Sequence, residues 1–209
     1  MLIKTRVMNK YKLTQIKSYE DRIDYCNKHF GNCIGHGSGR TVFRINDTMV
    51  LKMAHNEIGL AQNKIEIDNI NRTSFNKSLC ACIYEKEASN TPNWLIEEYV
   101  KAADEKDFMS ILGITFDMFC NILRYKVHSI EENDSFPENV AFDKLIQSKV
   151  FLQNIIEYAQ NSNTFFFDLE DISNYGVKDN TIVLLDYGMT QYIYDYYWHK
   201  ELKLDKNFL

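Results

Sequence analysis

The sequence predicts a mixed α+β chain in two parts, strand-rich up to about residue 100 and mainly helical beyond it. Three observations carry that expectation. The first hundred residues hold β-branched and aromatic runs, "TVFRINDTMVLKMA", "CACIYE" and "NWLIEEYV". After residue 101 the apolar spacing becomes helical in "TFDMFCNILRYKV" and "ENVAFDKLIQSKVFLQNIIEYAQ". Short β segments then return at "TFFF" and "TIVLLDYG". With 209 residues and 45% hydrophobic content the chain can build one sizeable core, or two small lobes sharing a cleft. The best single cut divides it into 1–100 and 101–209.

In chain order, Ile16, Tyr19, Ile23, Cys26 and Phe30 recur at helical spacing, so an amphipathic helix is expected from Thr14 to Phe30, with Gly31 as its stop. "GHGSGRTVF" follows, three glycines in five residues and then a strand-like run. Asn46-Asp47 reads as the polar turn of a hairpin, which puts the glycines at its mouth. Ile58, Ala61 and Ile65 form the stripe of a helix over residues 56–71. Thr115 is a plausible N-cap, Pro137 a helix entry, and "DLEDISNYGVKDN" a polar, acid-rich connection. The aromatic end, "YIYDYYWHKELKLDKNFL", suits packing against a core or a partner surface.

Composition narrows the function classes. The net charge of −5 and the scatter of basic residues lack the footprint of a nucleic-acid binder, so no nucleic-acid partner is expected. No apolar run approaches a bilayer span, and no hydrophobic leader is read at the start, so no membrane partner and a cytoplasmic location are expected. Cys26, Cys33, Cys80, Cys82 and Cys120 form an odd set without metal-like pairing and read as reduced core thiols. His29, His36, His55, His128 and His199 form no helical pair.

Five features bear on chemistry: the glycine cluster, Lys52, Glu66, Asp186 and Asn174. The glycine cluster is a turn, or backbone cleared for phosphate. Lys52 projects with Val50 from one hairpin arm, and Val42 with Arg44 faces the same way from the other; Lys52 then points beneath the glycines or simply reaches solvent. Glu66, fourteen residues on, either meets that ammonium or is an unrelated surface charge. Asp186 ends an apolar strand, where an acid is costly unless it meets a cation, and Asn174 in the preceding loop is a turn former or a ligand.

The order of these features resembles the protein kinase-like fold: a glycine-rich loop, "LKMA", a glutamate on a helix, "IEEYV", an Asp and Asn loop, and "LLDYG". "NEIGLAQNKIE", "NYGV" and "LLDYG" look more particularly like small kinase-like proteins of bacteria and bacteriophages. The resemblance covers roughly residues 33 to 190 and implies a two-lobed fold with a minimal C-terminal lobe. It implies ATP and Mg2+ as cofactors. Gly35, Gly37 and Gly39 would cradle phosphate, with Val42 and Val50 in the nucleotide site. Lys52, steadied by Glu66, would grip the phosphates, and backbone groups of Glu98 and Val100 would hold adenine. Asn174 and Asp186 would hold the metal, and Asp168 would act as the catalytic base.

Three departures qualify it. Arg40 occupies the third glycine position, with Gly39 beside it. The base aspartate is expected five residues before the asparagine, but that position is Leu169; Asp168 lies six before Asn174 and Asp171 three before. Twenty-one residues follow Gly188, too few for a peptide-docking platform. The expected function is therefore an ATP-dependent phosphotransferase acting on a hydroxyl of a protein or small molecule. A catalytically impaired pseudokinase and a kinase-fold adenylyltransferase remain the alternatives, as does an α+β domain without a nucleotide site. Glu97, an acid where the adenine pocket usually has an apolar wall, raises the question of which base is accepted.

Overall fold

The computed structural model describes residues 10–30, 33–72, 76–128 and 139–197. They fall into two compact units, one within Met1–Asp68 and Ala81–Tyr99, the other within Asn69–Cys80 and Val100–Leu209. A single cut near residue 100 does not anticipate the assignment of 69–80 to the second unit, because that stretch has no composition of its own to mark it.

The first unit opens with α1 (Lys10–Gln15) and α2 (Tyr19–His29). The single helix expected from Thr14 is two, because Ser18 caps the second: its Oγ accepts from the Asp21 N–H at 3.1 Å. The expected stop, Gly31, lies outside the described residues. Strands β1 (Cys33–His36), β2 (Arg40–Arg44), β3 (Met49–Ala54), β4 (Ile83–Lys86) and β5 (Trp94–Glu98) form an antiparallel sheet in the order β1-β2-β3-β5-β4. Helix α3 (Glu57–Arg72) follows β3, as its apolar stripe predicts.

Register sorts the side chains of this sheet onto two faces. Phe43 opposes Leu51, Leu51 opposes Ile96, and Met53 opposes Trp94. These five share one face and pack with Leu13 of α1 and Cys26 of α2 in an apolar core. The alternate positions, Val42 with Lys52 and Leu95, and Arg44 with Val50 and Glu97, occupy the other face. A strand that buries both faces thus carries aliphatics on one and charge on the other.

In the second unit α4 (Asn76–Leu79) precedes a three-stranded antiparallel sheet of β6 (Lys101–Ala102), β7 (Tyr175–Lys178) and β8 (Thr181–Leu184). Helices α5 (Glu105–Leu112) and α6 (Phe116–Leu123) are set by their caps: Asp104 and Asp107 form a capping box, Gly113 closes α5 at φ 78°, and Thr115 Oγ1 accepts from the Met118 N–H at 3.2 Å. A π-helical turn, Arg124–His128, continues α6. The long helix expected after Pro137 is two, α7 (Val140–Ser148) and α8 (Val150–Asn161), separated at extended Lys149; Asn139 caps α7, and Pro137 lies outside the described residues. "TFFF" supplies only an isolated bridge, Thr164 to Thr190, before a 3-10 turn over Phe166–Glu170. A final helix, α9, covers 191–197.

The core of this unit is aromatic. Tyr175 meets Phe108 edge-on at 5.6 Å and Phe119 at 5.5 Å, and its hydroxyl donates to the Leu169 carbonyl at 2.7 Å. That bond fastens the 3-10 turn carrying Asp168 to strand β7. Asn69 donates to Tyr158 Oη at 3.1 Å and to the Tyr187 carbonyl at 3.2 Å, satisfying a buried amide on two partners. Of the five free cysteines, Cys26, Cys80 and Cys120 are buried; Cys82 is half-buried and Cys33 exposed, so the core-thiol reading fails for Cys33. Among the described residues no helix is long and apolar enough to cross a membrane.

Candidate functional site

The charged face of the first sheet gathers around Lys52. Its ammonium donates to Glu66 Oε1 at 3.0 Å and Oε2 at 3.1 Å, so the pair expected across fourteen residues is formed. The sequence did not anticipate a second acid: Glu97 Oε2 lies 2.7 Å from the same ammonium. Nor did it anticipate Arg40 in this role. Arg40 Nη2 lies 2.9 Å from Glu66 Oε1, and its Nη1 donates to Asn63 Oδ1 at 3.3 Å. Lys52 is 5% exposed, Arg40 4%, Glu97 1% and Glu66 not at all, so four ionisable groups lie together away from water. Burial costs such groups heavily unless they are paired, and the contacts above are that pairing.

Burial pushes the Glu97 carboxyl up to about 8, against the opposing pull of Lys52, while the Glu66 charge adds to the rise. The signal for its placement was present in "WLIEE": residues two apart share a face, so Glu97 lies with Leu95 and, through the register, with Lys52. In the glycine pattern Arg40 looks like a defect, whereas in the fold its guanidinium turns inward to the helix glutamate.

Gly37 and Gly39 lie in the turn between β1 and β2, closed by the Gly37 N–H donating to the Arg40 carbonyl at 2.9 Å, while Gly35 lies within β1 and pairs with Val42. The turn's carbonyls are held by the junction of β3 and α3. His55 N–H donates to the Gly39 carbonyl at 3.0 Å, and Asn56 Nδ2 to the Ser38 carbonyl at 2.7 Å. Asn56 Oδ1 also accepts from the Gly59 N–H at 3.1 Å, in the first turn of α3. His55 Nε2 lies 3.1 Å from the Ser38 carbonyl, which only accepts, so Nε2 carries a proton. Neutral His55 then accepts at Nδ1 from Thr41 Oγ1, 3.1 Å away, and Thr41 accepts from His36 Nδ1 at 3.0 Å. Burial lowers the His55 pKa, and His36, stacked at 4.8 Å, lowers it too, against the opposing effect of the Ser38 bond. Two histidines distant in sequence thus meet through one threonine, which spacing alone could not reveal.

The three glycines differ in what requires them. Among the described residues only Gly113 is a glycine at positive φ, so none of the three needs glycine for its backbone angles. A Cβ on Gly39 would lie 2.6 Å from the Gly59 nitrogen, a packing constraint against α3. On Gly35 it would make ordinary contact with Val42 at 3.7 Å, and on Gly37 it would meet only the Arg40 carbonyl at 4.0 Å. Val50 is buried and Val42 half-buried on the Lys52 face. The Glu98 N–H donates to the Cys82 carbonyl at 2.8 Å, which commits it to the first unit. Val100 belongs to the second unit, where its Cγ1 lies 2.8 Å from the place a Cβ on Gly176 would take.

In the second unit Asn174 Nδ2 donates to the Asp168 carbonyl at 2.9 Å, tying the two residues despite their six-residue spacing. Tyr175 opposes Leu184, and the Leu185 N–H donates to the Asn174 carbonyl at 2.8 Å. Asn174 and Asp186 therefore stand at the same end of the β7–β8 hairpin. Asp186 is half-buried, and its Oδ1 accepts from the Gly188 N–H at 3.4 Å. Among the described residues no group of three or more His, Cys, Asp or Glu is placed to hold a metal. A hollow of about 370 Å³ in the second unit is lined by Phe116, Asp117, Cys120, Asn121, Arg124 and Glu170, none of them an expected site residue. Burial pushes the Cys120 thiol there up to about 11, so it is no nucleophile at neutral pH.

No family profile matches the chain, and no curated protein matches it. Among solved structures, one described as the streptomycin-ATP-APH(2")-IIa ternary complex aligns with 83% of this chain and 72% of its own, at 14% identity and a TM-score of 0.36. A likeness of that size does not fix a family.

Proposed function

We propose that this chain is a kinase-like protein that binds ATP with magnesium and moves the terminal phosphate to a hydroxyl on a protein or small molecule. The observation that carries the reading is the buried Lys52–Glu66 pair, 3.0 and 3.1 Å between ammonium and carboxylate oxygens, on the sheet that also carries the glycine turn. A lysine held rigidly by a helix carboxylate is a pre-oriented phosphate contact, and phosphoryl transfer depends on positioning and charge neutralisation. Gly37 agrees with this reading: a Cβ there would meet only the Arg40 carbonyl at 4.0 Å, so there is room beside the turn for a phosphate.

In this reading Lys52, steadied by Glu66, orients the phosphates; Gly35, Gly37 and Gly39 let backbone approach them; and Val42, Val50 and the backbone of Glu98 and Val100 receive the base. Asp186 and Asn174 offer a carboxylate and an amide oxygen, hard donors that suit magnesium. The Nδ2 bond of Asn174 to Asp168 turns its Oδ1 the other way, which is compatible with that use. Bound there, the ion would neutralise phosphate charge. Asp168 accepts the proton of the acceptor hydroxyl.

The test is ATP labelled on the γ- or the α-phosphate, incubated with the full chain and magnesium. Transfer or release of γ-label, reduced about 100-fold or more in Asp168→Asn and Asp186→Asn, is expected. Label retained from the α-position instead would replace phosphate transfer with adenylate transfer. A second reading is favoured by one contact, Glu97 at 2.7 Å from Lys52, which engages the ammonium internally. A pseudokinase of that kind binds ATP and moves neither label.

A further inference from the structure

The Lys52 ammonium carries one charge and is claimed by two carboxylates, Glu66 at 3.0 Å and Glu97 at 2.7 Å. The second cation of the group is Arg40, 2.9 Å from Glu66. With both acids ionised, these four side chains sum to zero; with Glu97 protonated they carry one net positive charge. Arg40 and Glu97 are therefore matched additions to the Lys52–Glu66 pair, one a base beside the glutamate and one an acid beside the lysine.

We propose that Glu97 is a positioning residue that sets the availability of Lys52 to phosphate: ionised, it competes with phosphate for the ammonium, and protonated, it leaves the cluster positive and receptive. The inference rests on the nucleotide reading above. Both the sheet register and the buried contacts support it. Val50 on β3 and Ile83 on β4 are the strand neighbours of Glu97 and do not titrate. Lys52 from β3, Glu66 from α3 and Arg40 from β2 act on it. Burial, the largest influence, and the Glu66 charge together raise the carboxyl to about 8 against the pull of Lys52 and Arg40. The change of state therefore falls near neutral to mildly alkaline pH.

The experiment is ATP affinity of the full chain by calorimetry at pH 7 and pH 9, for the native protein and for Glu97→Gln, which mimics the protonated form at every pH. The native protein is expected to bind roughly tenfold more weakly at pH 9, the ratio a single titration near 8 imposes. Glu97→Gln is expected to change less than about twofold. An equal pH slope in both overturns the proposal. A second measurement does not need nucleotide: NMR of ¹³Cε-lysine-labelled protein, with the Lys52 signal identified by its loss in Lys52→Arg. An inflection near pH 8, absent in Glu97→Gln, is expected, and its absence from the native protein overturns the proposal whatever ATP does. If the inflection is present but ATP binds at neither pH, the nucleotide reading has failed and competition with phosphate falls with it.

Discussion

Gly59 stands in the first turn of α3, where helix propensity alone favours alanine over glycine by about 1 kcal/mol. The packing argues the opposite sign. A Cβ on Gly59 would lie 2.0 Å from the Gly39 carbonyl oxygen, 2.8 Å from its carbon and 3.0 Å from the Ala54 Cα. Carbon and carbonyl oxygen normally approach to roughly 3.3–3.6 Å, so helix and turn must separate by more than about 1 Å. That separation pulls the Gly39 carbonyl from the His55 N–H, now 3.0 Å away, at about 1 kcal/mol. The overpacking itself costs about 1–3 kcal/mol. After the propensity gain, Gly59→Ala is expected to lose about 1–3 kcal/mol. With a urea dependence of about 1–3 kcal/mol per molar, the midpoint falls by about 1 M. Fluorescence of Trp94, buried in the same unit, reports it in a Trp198→Phe background. A midpoint that rises, as propensity alone requires, refutes the close-approach argument.

Two further expectations use the same sheet. Gly37→Ala should leave the urea midpoint within about 0.3 M of the native value, since its Cβ meets nothing closer than 4.0 Å, yet weaken ATP binding severalfold; unchanged affinity removes the phosphate-approach role from that glycine. Glu97, raised from the ordinary 4.5 to about 8, favours the fold in its protonated form. Its contribution is therefore complete below about 4.5 and is lost as pH rises through about 8. Native stability relative to Glu97→Gln should fall by a few kcal/mol between pH 5 and pH 8.5, since each tenfold difference in proton affinity between folded and unfolded chain is worth about 1.4 kcal/mol. Urea titrations at the two pH values measure it, and a constant difference contradicts the burial argument.

The strands were legible because period-two alternation and the Asn46-Asp47 turn act over a few residues, and the β2–β3 hairpin lies where they put it. α3 and the Thr115 cap were legible for the same reason. The breaks between α1 and α2 and at Lys149 were not, since a cap or one extended residue interrupts a spacing that reads as continuous. Strand β7 was hidden inside an acid-rich stretch whose polarity suggested only a turn. Within the site, Lys52 with Glu66 was reachable from order along the chain. Arg40 was not, because an unexpected residue in a pattern reads as a loss until its contacts are seen, and the face of Glu97, legible in "WLIEE", meets Lys52 only through the strand register. The His36–Thr41–His55 chain depends on where β1, β2 and the end of β3 bring side chains, a tertiary fact without a local signature.

Asn56 joins two otherwise separate pieces of backbone with one side chain, its oxygen on the first turn of a helix and its nitrogen on the tip of a hairpin. Lifting the hairpin tip thus breaks the bond from the Asn56 amide nitrogen to the Ser38 carbonyl, while its oxygen keeps the helix entrance. A penalty of about 1 kcal/mol of that sort thins the raised population about fivefold. The tip is in effect sprung shut by one amide side chain, and a relaxed version of this protein would begin with it.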